Sequence, residues 1–139
     1  ELLRSGGVLT AVTSDHSPAP ASVKHLDTGD FTKAWGGISG LQYGLTATWA
    51  HGAPRGVTLP QLASWLASGP AAVAQLGRKG EVEAGRDADL VVFDPDEEWV
   101  LSAGDTNYHR HKLTAYEGSP MRGRVLRTYV RGREVFRRG

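Results

Sequence analysis

Asp15 and His16 are the residues of this sequence best placed to do chemistry. They stand in Thr13-Ser14-Asp15-His16-Ser17-Pro18, directly after the apolar, β-branched run Val8-Leu9-Thr10-Ala11-Val12. A carboxylate and an imidazole at the C-terminal tip of a buried parallel strand occupy the position where α/β barrels keep their reactive groups. An aspartate used in this way needs a metal and further ligands. With five histidines in 139 residues, the chain is expected to be the last part of a larger enzyme. The simpler reading of Asp15 is a turn or helix-capping aspartate ahead of Ser-Pro.

The elements that must position these groups fall into three zones. The first, from Glu1 to about Gly37, is a strand to Thr13 followed by a polar loop with Pro18, Pro20, His25, Asp27, Gly29, Asp30 and the pair Gly36-Gly37. A long loop after a barrel strand is usually functional. In the second zone Leu41, Leu45 and Trp49 lie four residues apart, and Leu59, Leu62 and Leu66 follow helical spacing. His51 to Gly56 is a turn. Thr58 and Gln61 form a capping box, and Ser68-Gly69-Pro70 opens a short helix that Gly77 should stop. These apolar stripes are core.

From about Arg78 the period changes. Ala88 to Pro95 reads as a short strand stopped by the proline, with Glu98 to Leu101 as the next. Val125–Val130 and Glu134–Phe136 flank Arg131-Gly132, a two-residue hairpin connection. Apart from a loop at Gly104–Gly118, this zone is expected to be a sandwich-like β layer packed on sequence that is absent here. The expected domains are residues 1–77 and 78–139.

Composition narrows the function classes. Sixteen basic residues against fifteen acidic ones leave a net charge of +1, and 40% of residues are hydrophobic. The basic residues between Arg122 and Arg138 alternate with Val125, Tyr129, Val130, Val135 and Phe136, as on the wet face of a strand pair and not as a nucleic-acid patch. There is no cysteine, which excludes disulfides and thiolate metal sites and fits a reducing, cytoplasmic setting. No apolar run approaches the roughly 18 residues of a membrane span, and no signal peptide is expected.

Several stretches resemble the cyclic amidohydrolases, and within that group the allantoinases. Asp15-His16-Ser17-Pro18 resembles the family's final metal-ligand motif, and Lys33-Ala34-Trp35-Gly36-Gly37-Ile38-Ser39 through Leu41-Gln42 its next signature. Arg78-Lys79-Gly80, Gly85 and Asp87 to Val91 are similar to a shared sandwich segment. His111-Lys112-Leu113-Thr114, Tyr116, Gly118, Arg122-Gly123 and Val130-Arg131-Gly132 again resemble allantoinases. Two departures, Ala19 where cysteine is frequent and Ala115 where proline is, leave room for a relative with another ring substrate.

The resemblance implies the last strand and C-terminal helices of a metal-dependent (β/α)8 TIM barrel plus the C-terminal part of a small β-sandwich domain. It implies two divalent metals, zinc or a substitute, bridged by a carboxylated lysine outside this chain. Asp15 would bind the more buried metal and act as general acid/base. His16 would face substrate or serve packing, and Ser17 would bond a ureido or ring carbonyl unless it is a plain turn serine. Gly36 and Gly37 would leave peptide N–H and C=O groups free for an imide-like edge, or merely supply permissive backbone. His109-Arg110-His111, although a His-x-His pair, lies in the polar loop Asp105-Thr106-Asn107-Tyr108 and is not expected to bind metal.

The implied substrate is a small cyclic ureide, allantoin opening to allantoate in purine catabolism. Hydantoinase or dihydropyrimidinase and dihydroorotase activities are the alternatives. A non-catalytic, dihydropyrimidinase-like assembly protein is the alternative of another class. The implied partners are the rest of its own chain or another copy completing barrel and sandwich, in a homo-oligomer (tetramer or dimer), with no nucleic acid and no membrane.

Overall fold

The computed structural model describes residues 1–139, apart from the side chains of residues 105 and 106. The expected polar loop that begins there therefore lies partly outside the described residues. In chain order the elements are α1 (Leu2–Ser5), α2 (Gly44–Gly52), α3 (Leu59–Ala63), α4 (Gly69–Val73), β1 (Leu90–Val100), α5 (Ala103–Thr106), β2 (Pro120–Val130) and β3 (Arg133–Arg137). They belong to two compact units. One unites Glu1–Thr13, Leu45–Glu98 and Arg122–Gly139; the other unites Ser14–Gly44 and Trp99–Met121.

In the first unit the capping box forms as expected. The Thr58 hydroxyl accepts from the Gln61 N–H at 3.4 Å, and Gln61 Oε1 accepts from the Thr58 N–H at 3.0 Å. From there the chain stays helical through α3, a π-type turn at Ser64–Ser68 and α4, burying Leu62, Trp65 and Ala71. Gly69 lies against the extended N-terminal segment, where a Cβ would stand 2.0 Å from the Thr10 carbonyl oxygen. The Val12 N–H donates to the Trp65 carbonyl at 2.8 Å.

Four local expectations need correction. The segment to Thr13 is extended but joins no ladder among the described residues, because a strand needs a neighbour and none lies alongside; Val8 is 83% exposed. Leu41 is 66% exposed although Trp49 is buried: Leu41–Tyr43 form a tighter 3₁₀ turn, so helical spacing does not run through it and Tyr43 turns inward instead. The helical run ends before Gly77. Gln75 takes the left-handed conformation (φ 56°), with Leu76 N–H bonded to Ala71 O at 2.8 Å and Gln75 N–H to Ala72 O at 3.1 Å, a Schellman ending. Finally, Pro95 does not stop its strand.

β1 passes through Pro95 because it is an edge strand of a three-stranded sheet ordered β1-β2-β3, where a missing N–H is tolerated. The Pro95 carbonyl accepts from Trp49 Nε1 at 2.8 Å. Trp49 stands edge-on to Phe93, ring centres 6.5 Å apart. Gly123 of β2 (φ 92°) lies beneath them, where a Cβ would be 2.2 Å from Phe93 Cζ and 2.8 Å from Trp49 Cδ1. β2 and β3 form the expected antiparallel hairpin, with Arg131 (φ 50°) and Gly132 (φ 79°) as its turn.

Asp89 Oδ1 accepts the Arg131 N–H at 2.7 Å, and its other oxygen meets Lys79, which also pairs with Asp87 at 3.1 Å. Asp89 thereby ties the segment ahead of β1 to the hairpin turn, and Lys79 braces it. Most of the basic strand residues have carboxylate partners: Arg122 with Asp96, Arg124 and Arg138 with Glu97, and Arg137 with Glu134.

Candidate active-site loop

In the second unit, Leu101, Ala103, Asn107, Thr114 and Met121 are buried with Ser39 and Tyr43. Leu101 N–H bonds to Ser119 O at 3.0 Å, Gly118 N–H to Leu101 O at 2.9 Å, and the Ala103 N–H to the Glu117 carboxylate at 2.7 Å. This closes residues 101–119 into a loop. Bonds join it to the other segment: the Thr114 hydroxyl donates to Ser39 O at 3.2 Å, and the Tyr108 N–H donates to Gln42 Oε1 at 2.8 Å.

On that base sits the Asp15 tip. Asp15 is exposed and holds a left-handed backbone (φ 42°), a conformation costly for a residue with a Cβ and associated with functional turns. His16 forms a parallel bridge with Ile38, and the Ser17 N–H bonds to Ile38 O at 2.9 Å. Gly37 packs on Ser17 so closely that a Cβ would be 2.6 Å from both Ser17 Cβ and Ser17 O. At Gly36 nothing lies within 4 Å of the corresponding position, so this peptide is the open part of the loop.

Lys24 spans the loop. Its ammonium donates to the Trp35 carbonyl at 2.8 Å and to the Gly37 carbonyl, while Trp35 N–H bonds to Val23 O at 2.8 Å. The Gly37 carbonyl is therefore already engaged, and the peptide edge expected to be free at both glycines is partly taken. Lys24 escaped sequence reasoning because nothing in its spacing marks a lysine that reaches carbonyls more than ten positions away.

His16 Nδ1 accepts the Leu41 N–H at 3.1 Å, which places the proton of the neutral ring on Nε2. The His109 ring lies edge-on to His16 at 4.7 Å and to Tyr43 at 6.0 Å, with both of its nitrogens shielded and unbonded. Burial holds its pKa below the usual imidazole range, and electrostatic interaction with His16 and Lys112 acts in the same direction. The unit thus brings Asp15, His16, Ser17, Gly36 and Gly37 together with two residues the sequence did not associate with them, Lys24 and His109. The residues of a separate cleft of about 290 Å³, among them Ser68, Gln75 and Arg86, include none of these.

The amidohydrolase family profile matches residues 1–135. The chain belongs to the amidohydrolase family. A probable allantoinase of Oryza sativa subsp. japonica is 43% identical over 131 residues, 94% of this chain and 26% of the relative. An allantoinase of Arabidopsis thaliana is 42% identical over 134 residues, 96% of this chain and 26% of the relative. Among solved structures, L-hydantoinase (dihydropyrimidinase) from Arthrobacter aurescens matches with a TM-score of 0.85 at 30% identity, over 94% of this chain and 29% of that one. The chain spans about a quarter of the length of the curated relatives it matches.

Family members are generally metal-dependent, and the donor set here fits one part of such a centre. Asp15 offers an exposed carboxylate. His16 has one nitrogen engaged by a peptide, and no group of three or more metal-binding side chains occurs among the described residues. No helix among the described residues is long and apolar enough to cross a membrane.

Proposed function

We propose that this chain is the C-terminal part of a metal-dependent cyclic amidohydrolase that opens a five-membered cyclic ureide, allantoin plus water giving allantoate. The observation that carries the reading is Asp15, exposed in a left-handed turn beside a glycine loop locked onto Ser17, within a chain 42–43% identical to allantoinases. Residues 1–77 would complete a (β/α)8 barrel and 78–139 a β-sandwich domain, in a cytoplasmic homo-oligomer.

Bound zinc, or another divalent metal, would supply water acidified toward neutral pH and a Lewis acid for the ring carbonyl. Asp15 would hold one ion through its carboxylate. The same carboxylate takes the proton of the attacking water as the new C–O bond forms and returns it to the ring nitrogen as the C–N bond breaks. The Ser17 hydroxyl and the open Gly36 peptide would bond the ring's carbonyl and N–H edge. His16, fixed through Leu41, would wall that side of the ring. Taken alone, the chain should be inactive and bind zinc weakly, since it holds one ligand of the set.

The test is ring opening by the full polypeptide loaded with zinc, manganese or cobalt, on allantoin, hydantoin, dihydrouracil and dihydroorotate in parallel. Allantoin turnover supports the reading. Preference for another ring reassigns the substrate, and metal-free, inactive protein favours an assembly role.

A further inference from the structure

The Trp35–Gly37 loop is held by a device outside the Asp15 motif. Lys24 follows the short 3₁₀ turn Ala21–Val23 and is partly buried. Its ammonium bonds to two backbone carbonyls, those of Trp35 and Gly37, so the loop is gathered around one cation. Two carbonyls flanking one peptide, turned to a common donor, fix the orientation of the peptide between them, which is that of Gly36.

From Gly37 the constraint passes directly to the tip. Gly37 packs on Ser17 without room for a methyl group, and Ser17 N–H is bonded to Ile38 O. Lys24 therefore sets the distance between the open Gly36 peptide and the Ser17 hydroxyl, the two groups that face a ring in the proposed function. Exposed Lys33, in the same loop, pairs among the described residues with Asp30 at 3.2 Å.

We propose that Lys24 is a positioning residue that holds the Gly36 peptide in register with Ser17 and so sets affinity for a cyclic ureide. The proposal rests on the reading of the chain as part of a cyclic-ureide hydrolase. Loss of the ammonium loosens the binding edge and leaves Asp15 in place, so KM should suffer more than kcat. Arginine, with several donors, can still reach both carbonyls and should restore much of the effect.

The experiment compares Lys24→Met, Lys24→Arg and Lys33→Met in the full polypeptide, with allantoin and hydantoin as probes, alongside hydrogen exchange of the Ser17 and Trp35 amides. Lys24→Met should raise KM about tenfold or more, with kcat changed less than about threefold. It should also speed exchange at those two amides while the Leu62 amide exchanges as in wild type. Lys24→Arg should recover most of the KM, and Lys33→Met should match wild type. Unchanged exchange, or faster exchange without a KM effect, overturns the proposal; faster exchange at Leu62 would mark general unfolding and overturn it as well. If wild type opens neither ring, the cyclic-ureide reading fails on its own, and the exchange data still decide whether Lys24 holds the loop.

Discussion

Gly37 and Ser17 touch backbone to side chain, and a methyl group added to Gly37 would stand 2.3 Å from Ser17 Oγ. Gly37→Ala must displace Ser17 or open the His16–Ile38 bridge, at a cost of about 1–3 kcal/mol. Gly36→Ala meets nothing within 4 Å and should fold as wild type. Thermal unfolding of the two variants gives the stability difference. If Gly36→Ala raises KM while leaving the melting temperature unchanged, the open peptide is the one that approaches substrate.

Asp15→Asn removes the charge and the proton acceptor with almost no change in volume. Ring opening should fall on the order of 10²–10⁴-fold, and bound metal measured by elemental analysis should fall with it. Retained turnover would return Asp15 to the role of a turn aspartate.

Away from the loop, Gly123→Ala should destabilise without touching the chemistry. The added methyl would enter the space of Phe93 and Trp49, and alanine is strained at φ 92°. A loss of about 1–3 kcal/mol in urea unfolding, with KM unchanged, is expected. Equal stability would mean that the Trp49–Phe93 contact repacks freely.

His109 should make stability depend on pH in one direction. Its folded pKa lies below the ordinary 6.5, chiefly through burial, so the unfolded chain binds the proton better. The contribution is complete above that value and declines as pH falls through it toward the folded pKa. His109→Phe keeps a ring and removes the titration. The urea midpoint of wild type, followed from pH 7.5 downward, should fall relative to that of the variant below about pH 6.5; parallel curves would show that the burial is not sensed.

Local signals were legible from residue types alone. The Thr58–Gln61 box and the Arg131-Gly132 turn depend on groups two or three positions apart, and both form as the residues dictate. Asp15 was visible as a candidate because it follows an apolar run and opens a family-like motif. Features set by distant contacts were not legible. Pro95 survives in β1 because of the strand's place at the sheet edge, and His109 meets His16 across more than ninety positions. Leu41 misled because one 3₁₀ turn breaks the helical count.

The second unit joins Ser14–Gly44 to Trp99–Met121, with Leu45–Glu98 between them in the chain. During synthesis the Asp15 tip leaves the ribosome well before His109 and Thr114 have been translated, so those two partners of its segment do not yet exist. The tip's own contacts, Ser17 to Ile38 and His16 to Leu41, can form before then, whereas the Tyr108–Gln42 and Thr114–Ser39 bonds cannot. The tip can thus take shape from one stretch of chain, while the base beneath it waits for a stretch made more than fifty residues later.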